Sequence, residues 1–107
     1  MPAIQLPTRS ALEKAADCLR TLGHPVRLEM LFLLDAGEYN VGQLAELCGI
    51  SSHLASEHLR LMERCGLLHR NRVGKETFYG IAEPGLRDLM SCIVSRYGDS
   101  GKRRRKR

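Results

Sequence analysis

Between Asn40 and Ile81 the sequence changes rhythm in a fixed order, and that order constrains the fold more than any bulk property does. Asn40 with Gln43 three residues later makes a cap-and-return pair, followed by Val41, Leu44, Ala45 and Leu47 as the core face of a short helix. Gly49-Ile50-Ser51 is a tight turn, and Ser51 is a good N-cap for a second helix that ends at Gly66. That helix is expected to bury Leu54, Ala55, Leu59, Leu61 and Met62. A helix, a glycine-containing turn and a capped helix give helix-turn-helix order. Helical spacing then stops. Leu67-Leu68-His69-Arg70 reads as a strand, Asn71 through Lys75 as a turn with Gly74 at its tip, and Thr77 through Ile81 as a returning strand.

The flanks complete one domain. Residues 1–9, with Pro2 and Pro7, read as a flexible arm. Ser10 and Glu13 have capping-box spacing ahead of Leu12, Ala15, Ala16, Leu19 and Leu22, and Gly23 ends that helix. Pro25 suits the first position of the next helix, where its missing N–H costs nothing. The run Met30-Leu31-Phe32-Leu33-Leu34 is apolar on every side and predicts a buried central helix, stopped by Gly37. Pro84 opens a last helix with Leu86, Leu89, Met90, Ile93, Val94 and Tyr97 on one stripe. Residues 10–98 are thus expected to form a mainly α domain of about five helices with one small β-hairpin, and 99–107 a disordered basic tail.

Charge is placed unevenly. The formal net charge is +5, yet six of the 17 basic side chains lie in residues 102–107. Without them 11 basic groups face 12 acidic ones, so the body is not basic as a whole. Residues 51–75 carry five basic and two acidic groups, while 1–50 and 76–101 are each net −2. Positive charge focused on one internal stretch is the pattern of a protein that touches phosphates on one face. There is no charged start followed by an apolar run, and no apolar stretch of membrane-crossing length. The expectation is a cytoplasmic protein with reduced thiols and no membrane partner.

Leu22-Gly23-His24-Pro25-Val26-Arg27-Leu28, then Ser51 through Leu61, then Cys65-Gly66-Leu67-Leu68 and the hairpin to Tyr79 resemble the ArsR/SmtB family of repressors. The likeness spans residues 10 to 97. It implies a winged helix-turn-helix, a homodimer built from the first and last helices, and double-stranded operator DNA as partner.

A helix fits the major groove, and residues near its N-terminus reach base edges. On the second helix of the motif the residues off the core stripe are Ser52, His53, Ser56, Glu57 and Arg60. In relatives the positions of Ser52, His53, Ser56 and Glu57 often hold Gln, Pro, Ser and His, so Glu57 departs from the resemblance. A carboxylate there only accepts hydrogen bonds, which suits a cytosine amine or no contact at all. Relatives also show a His where His58 stands; here it points partly inward and reads as structural. Arg70, Arg72 and Lys75 on the hairpin are expected over the sugar-phosphate edge or in the minor groove, although exposed turns are commonly basic without binding anything.

Neither metal site that the resemblance brings to mind has its ligands: residues 38–44 hold no Cys-x-Cys, and residues 84–98 hold no His. No cofactor is expected. Cys18, Cys48, Cys65 and Cys92 are spaced 30, 17 and 27 apart, outside any metal-knuckle spacing. Cys48 and Cys65 read as small hydrophobes at helix ends. Cys18 and Cys92 flank the stripes of the two presumed dimer helices, so a thiol/redox or soft-metal sensor built from that pair is one alternative, and ordinary interface packing the blander one. A protein-interaction adaptor is the other alternative, since a winged helix alone does not decide its partner. An enzyme is rejected: no nucleophile–base pairing, paired carboxylates or phosphate loop stands out.

Overall fold

The computed structural model describes residues 3–98; residues 1–2 and 99–107 lie outside the described residues, and the expected basic tail with them. In chain order the elements are α1 (Arg9–Leu22), α2 (Pro25–Ala36), α3 (Val41–Cys48), α4 (Ser52–Arg64), β1 (Leu68–Val73), β2 (Glu76–Ile81) and α5 (Leu86–Tyr97). This is the expected architecture of five helices and one antiparallel hairpin. Its core is aliphatic, with Met30 and Leu31 of α2, Leu44 of α3, and Leu59 and Met62 of α4 fully buried at the centre.

Local chemistry explains most element ends. The Asn40 side chain accepts from the Gln43 N–H at 2.8 Å while Gln43 Oε1 accepts from the Asn40 N–H at 2.9 Å, the reciprocal cap expected for α3. Gly49 then takes a left-handed conformation (φ 70°) that turns the chain into Ser51, whose hydroxyl accepts from the Leu54 N–H and starts α4. At the end of α4, Gly66 (φ 80°) redirects the chain into β1. Asn40 also bridges to Phe78 of β2, which ties the start of α3 to the hairpin.

Several expectations need correction. The cap of α1 is Thr8, whose hydroxyl accepts from the Ala11 N–H at 3.1 Å, so Ser10 lies inside the helix and not at its start. On α3, Cys48 packs on the core one turn beyond Leu44, while Leu47 stays half-exposed beside that stripe. On α4 the buried stripe is Ala55, His58, Leu59 and Met62. Leu54, expected inside, is 39% exposed, and Leu61 is half-buried on the same shoulder. Ala55, Leu59 and Met62 are buried as expected, and the stripe is narrower than the apolar spacing suggests, with His58 buried between them. The hairpin turn is Gly74-Lys75 alone: the register runs from Leu68↔Ile81 to Val73↔Glu76, so Asn71 and Arg72 belong to the strand. Finally, Pro84 and Gly85 form a turn and α5 begins at Leu86.

Two faces stay uncovered. Leu12 and Leu19 of α1 are exposed, and so are Val94 and Tyr97 of α5, although each belongs to the apolar stripe of its helix. Only Leu22 of α1 and Leu86 and Met90 of α5 are buried.

Candidate nucleic-acid interface

Helix α4 turns one face to the core and the other to solvent, and its first two turns carry the polar face. Ser52, His53 and Glu57 are exposed and Ser56 is half-buried. His53 Nε2 lies 4.0 Å from Glu57 Oε2, one turn apart, so a protonated His53 pairs with the carboxylate that departs from the family pattern. Leu54 stands among these polar groups. Apolar spacing alone assigns it to the core, since nothing in a run of apolar residues tells which shoulder of the stripe stays wet. An exposed leucine on the leading turn of such a helix offers an apolar contact of the kind that reads a thymine methyl group.

Arg60 and Arg64 lie further along α4, beside Glu57 and Leu61, and line a shallow hollow on its outer flank. The hairpin follows directly. Strand alternation puts Leu68, Arg70 and Arg72 on one face of β1, and Arg70 pairs across from Tyr79. The three hairpin cations differ in freedom. Arg70 Nε sits 3.6 Å from Glu63 Oε2 of α4, a link between wing and helix that partly neutralises it. Arg72 folds back, its Nε donating to the Gly74 carbonyl at 3.3 Å. Lys75 is exposed at the tip. Tyr79, buried beneath, has its phenol pushed up mainly by burial, with the Glu63 carboxylate adding to it.

Behind the exposed polar face of α4 lies a polar cluster. Arg27 of α2 donates through Nε to His58 Nδ1 at 3.0 Å and through Nη1 to the Thr21 carbonyl at 2.8 Å. The His24 ring packs tilted on His58 with centroids 4.7 Å apart, while its own Nδ1 accepts from the Val26 N–H and caps α2. The run from His24 to Arg27 is thereby accounted for: a cap and ring platform, a proline at the first helical position, and an arginine that holds α4. His58 is 6% exposed. Burial lowers its pKa from the usual histidine range, and the Arg27 guanidinium and His24 lower it further. It is therefore the neutral imidazole that accepts from Arg27.

Within the chain, Cys18 lies against Cys65, its thiol donating to the Cys65 carbonyl at 3.6 Å, and Cys92 is exposed on α5. Among the described residues no cluster of three or more His, Cys, Asp and Glu side chains has metal-binding geometry.

Residues 24–70 match the family pattern described as "Bacterial regulatory protein, arsR family". The chain is also 33% identical over 92 residues to the biofilm growth-associated repressor of Xylella fastidiosa, an alignment covering 82% of this chain and 81% of that protein. The chain belongs to the arsR family. Its fold agrees with the crystal structure of the transcriptional repressor BigR from Xylella fastidiosa, at 32% identity and a TM-score of 0.71 over 85% of this chain and 97% of that one. It also superposes on the homodimeric winged helix-turn-helix DNA-binding domain of a Mycobacterium bovis protein. There the TM-score is 0.76 at 24% identity, over all of both chains. Like other arsR-family members the chain is a winged helix-turn-helix transcriptional regulator and not an enzyme. No helix among its described residues is long and apolar enough to cross a membrane.

Proposed function

We propose that this arsR-family chain is a sequence-specific repressor that binds double-stranded operator DNA as a homodimer. The observation that carries the reading is the outward first half of α4: Ser52, His53, Leu54 and Glu57 exposed and Ser56 half-exposed, directly beside the cations of the hairpin. In this reading Ser52, His53, Ser56 and Glu57 meet base edges in the major groove, with Leu54 added as an apolar contact. Arg60 reaches a phosphate or a guanine from the next turn. Arg70, Arg72 and Lys75 hold the sugar-phosphate edge, with Arg72 and Lys75 contributing more than Arg70, which shares its charge with Glu63.

The dimer is supported by surface left bare. Leu19 is 60% exposed, Val94 53% and Tyr97 70%, all on the apolar stripes of the first and last helices. A second copy covering α1 and α5 would remove that surface from water. Such a dimer has two α4 helices related by a two-fold axis, and its operator is then an inverted repeat. In this reading the repressor operates without the metal sites that the family resemblance implies, because residues 38–44 hold no Cys-x-Cys and residues 84–98 hold no His.

Selection of bound sequences from random DNA by the purified protein tests the reading. A palindromic consensus with two half-sites about one helical turn apart supports it. Enrichment of no sequence, or of an asymmetric single half-site, rejects it.

A further inference from the structure

The contact between Cys18 and Cys65 joins two elements with separate roles. Cys18 lies on α1, and Cys65 is the residue that caps the C-terminus of α4. The Cys18 thiol donates to the Cys65 carbonyl at 3.6 Å, and the Cys65 thiol donates to Thr21 Oγ1 at 3.5 Å. Thr21 stands one turn after Cys18, so α1 brackets Cys65 with a thiol on one side and a hydroxyl on the other. Both sulfurs are half-buried. Burial pushes the Cys18 thiol up, and the neighbouring Cys65 thiol and the Asp17 carboxylate add to it, so Cys18 is held as the neutral thiol.

Two thiols without a third ligand do not make a tetrahedral metal site, and no group of three candidate ligands occurs among the described residues. The Cys18 side chain also interacts with the side chain of Cys65, and two neighbouring thiols need no third group to be joined as a disulfide. We propose that Cys18 and Cys65 form a modification site at which a peroxide closes an intrachain disulfide between α1 and the end of α4. Cys65, as thiolate, attacks one peroxide oxygen; the O–O bond breaks, and a sulfenic acid and one water result once the thiol proton is counted. The Cys18 sulfur then attacks the sulfenic sulfur, the S–O bond breaks, and a second water leaves with the Cys18 proton. Two thiols and one hydrogen peroxide give one disulfide and two waters. The sulfurs lose two electrons and the peroxide gains them.

Closure has a route to the recognition helix. It removes the hydrogen bond from Cys65 to the Thr21 hydroxyl, and the carbonyl of the same Thr21 accepts from Arg27, which holds His58 in the middle of α4. The end of α4 is then tied to α1 by a covalent bond in place of two weak thiol hydrogen bonds. This consequence rests on the reading that α4 contacts DNA; the disulfide itself does not. Oxidation is expected to weaken operator binding about tenfold, within the usual range for coupling between two sites.

The full chain is treated with hydrogen peroxide, its remaining thiols are blocked, and it is digested with trypsin. The expected product is the peptide 15–20 joined to the peptide 65–70, two hydrogens lighter than the pair and separated again by dithiothreitol. Operator affinity falls in parallel and returns on reduction. Cys18→Ser and Cys65→Ser each abolish both effects, and Cys92→Ser abolishes neither. Peptide mapping of the unaltered chain decides the matter even where a variant fails to fold. Absence of the 15–20/65–70 link, or a link through Cys48 or Cys92 in its place, overturns the site. A link that forms with operator affinity unchanged overturns the coupling. Reduced protein that binds no selected DNA rejects the DNA reading, while the mapping still decides the disulfide.

Discussion

Arg27 Nε donates to His58 Nδ1 at 3.0 Å, so a buried imidazole on α4 is held by a guanidinium on α2 that also grips the end of α1 through the Thr21 carbonyl. Removing the guanidinium leaves a buried nitrogen without its donor and loosens three helices at one point. Arg27→Ala is expected to lower unfolding free energy by about 1–3 kcal/mol, the cost of an unsatisfied buried polar group. Denaturant unfolding measures it. A change within experimental error would show that the contact contributes nothing to stability.

The same pair predicts a pH dependence. Folding lowers the His58 pKa below its ordinary value of 6.5, so the unfolded chain binds this proton more readily than the folded one. The contribution of neutral His58 is therefore complete above about pH 6.5 and declines as pH falls through the unfolded value toward the lower folded one. His58→Gln keeps an acceptor for Arg27 and does not titrate. Thermal unfolding between pH 7.5 and pH 5.5 should show a smaller loss of Tm in the variant than in the unaltered chain. Equal losses would assign the acid sensitivity to other groups.

Base reading and backbone holding are expected to separate by element. Ser56→Ala and Leu54→Ala should each narrow the gap between operator and random DNA, by on the order of 1–3 kcal/mol if one base contact is lost. Arg72→Ala should weaken both DNAs by similar factors and reduce the salt dependence by about one phosphate contact. Titrations on both DNAs at several salt concentrations distinguish the two behaviours. Sequence preference altered by Arg72→Ala and untouched by Ser56→Ala would reverse the assignment.

Leu19 and Val94 are exposed in the single chain, so a charge at either disturbs an assembly and leaves the fold intact. Leu19→Asp and Val94→Asp should each weaken self-association by on the order of a hundredfold, about 2.7 kcal/mol. Circular dichroism should be unchanged. Sedimentation at micromolar concentration reads the result, and a monomeric unaltered chain would remove the dimer from the account.

Chelators should leave operator affinity unchanged, since residues 38–44 hold no Cys-x-Cys and residues 84–98 hold no His. A stoichiometric loss of binding on addition of zinc would contradict this.

The sequence by itself determined the order of elements and most of their ends, because those rest on local interactions. Asn40 with Gln43, Pro25 at a first helical turn, and glycines at Gly49 and Gly74 act within a few residues of themselves. The family likeness was legible for a similar reason: its motifs are runs of neighbouring residues. On α4 the stripe of Ala55, Leu59 and Met62 and the inward lean of His58 were legible, but the partner of His58 was not: Arg27 stands 31 residues before it along the chain, and no periodicity of apolar residues reports a polar partner held across the core. The neighbour of Cys18 within the chain was not legible either: packing of α1 against the end of α4 brings it to Cys65, 47 residues away. Contacts between residues so far apart are fixed by how helices settle on one another, and only the tertiary structure decides that.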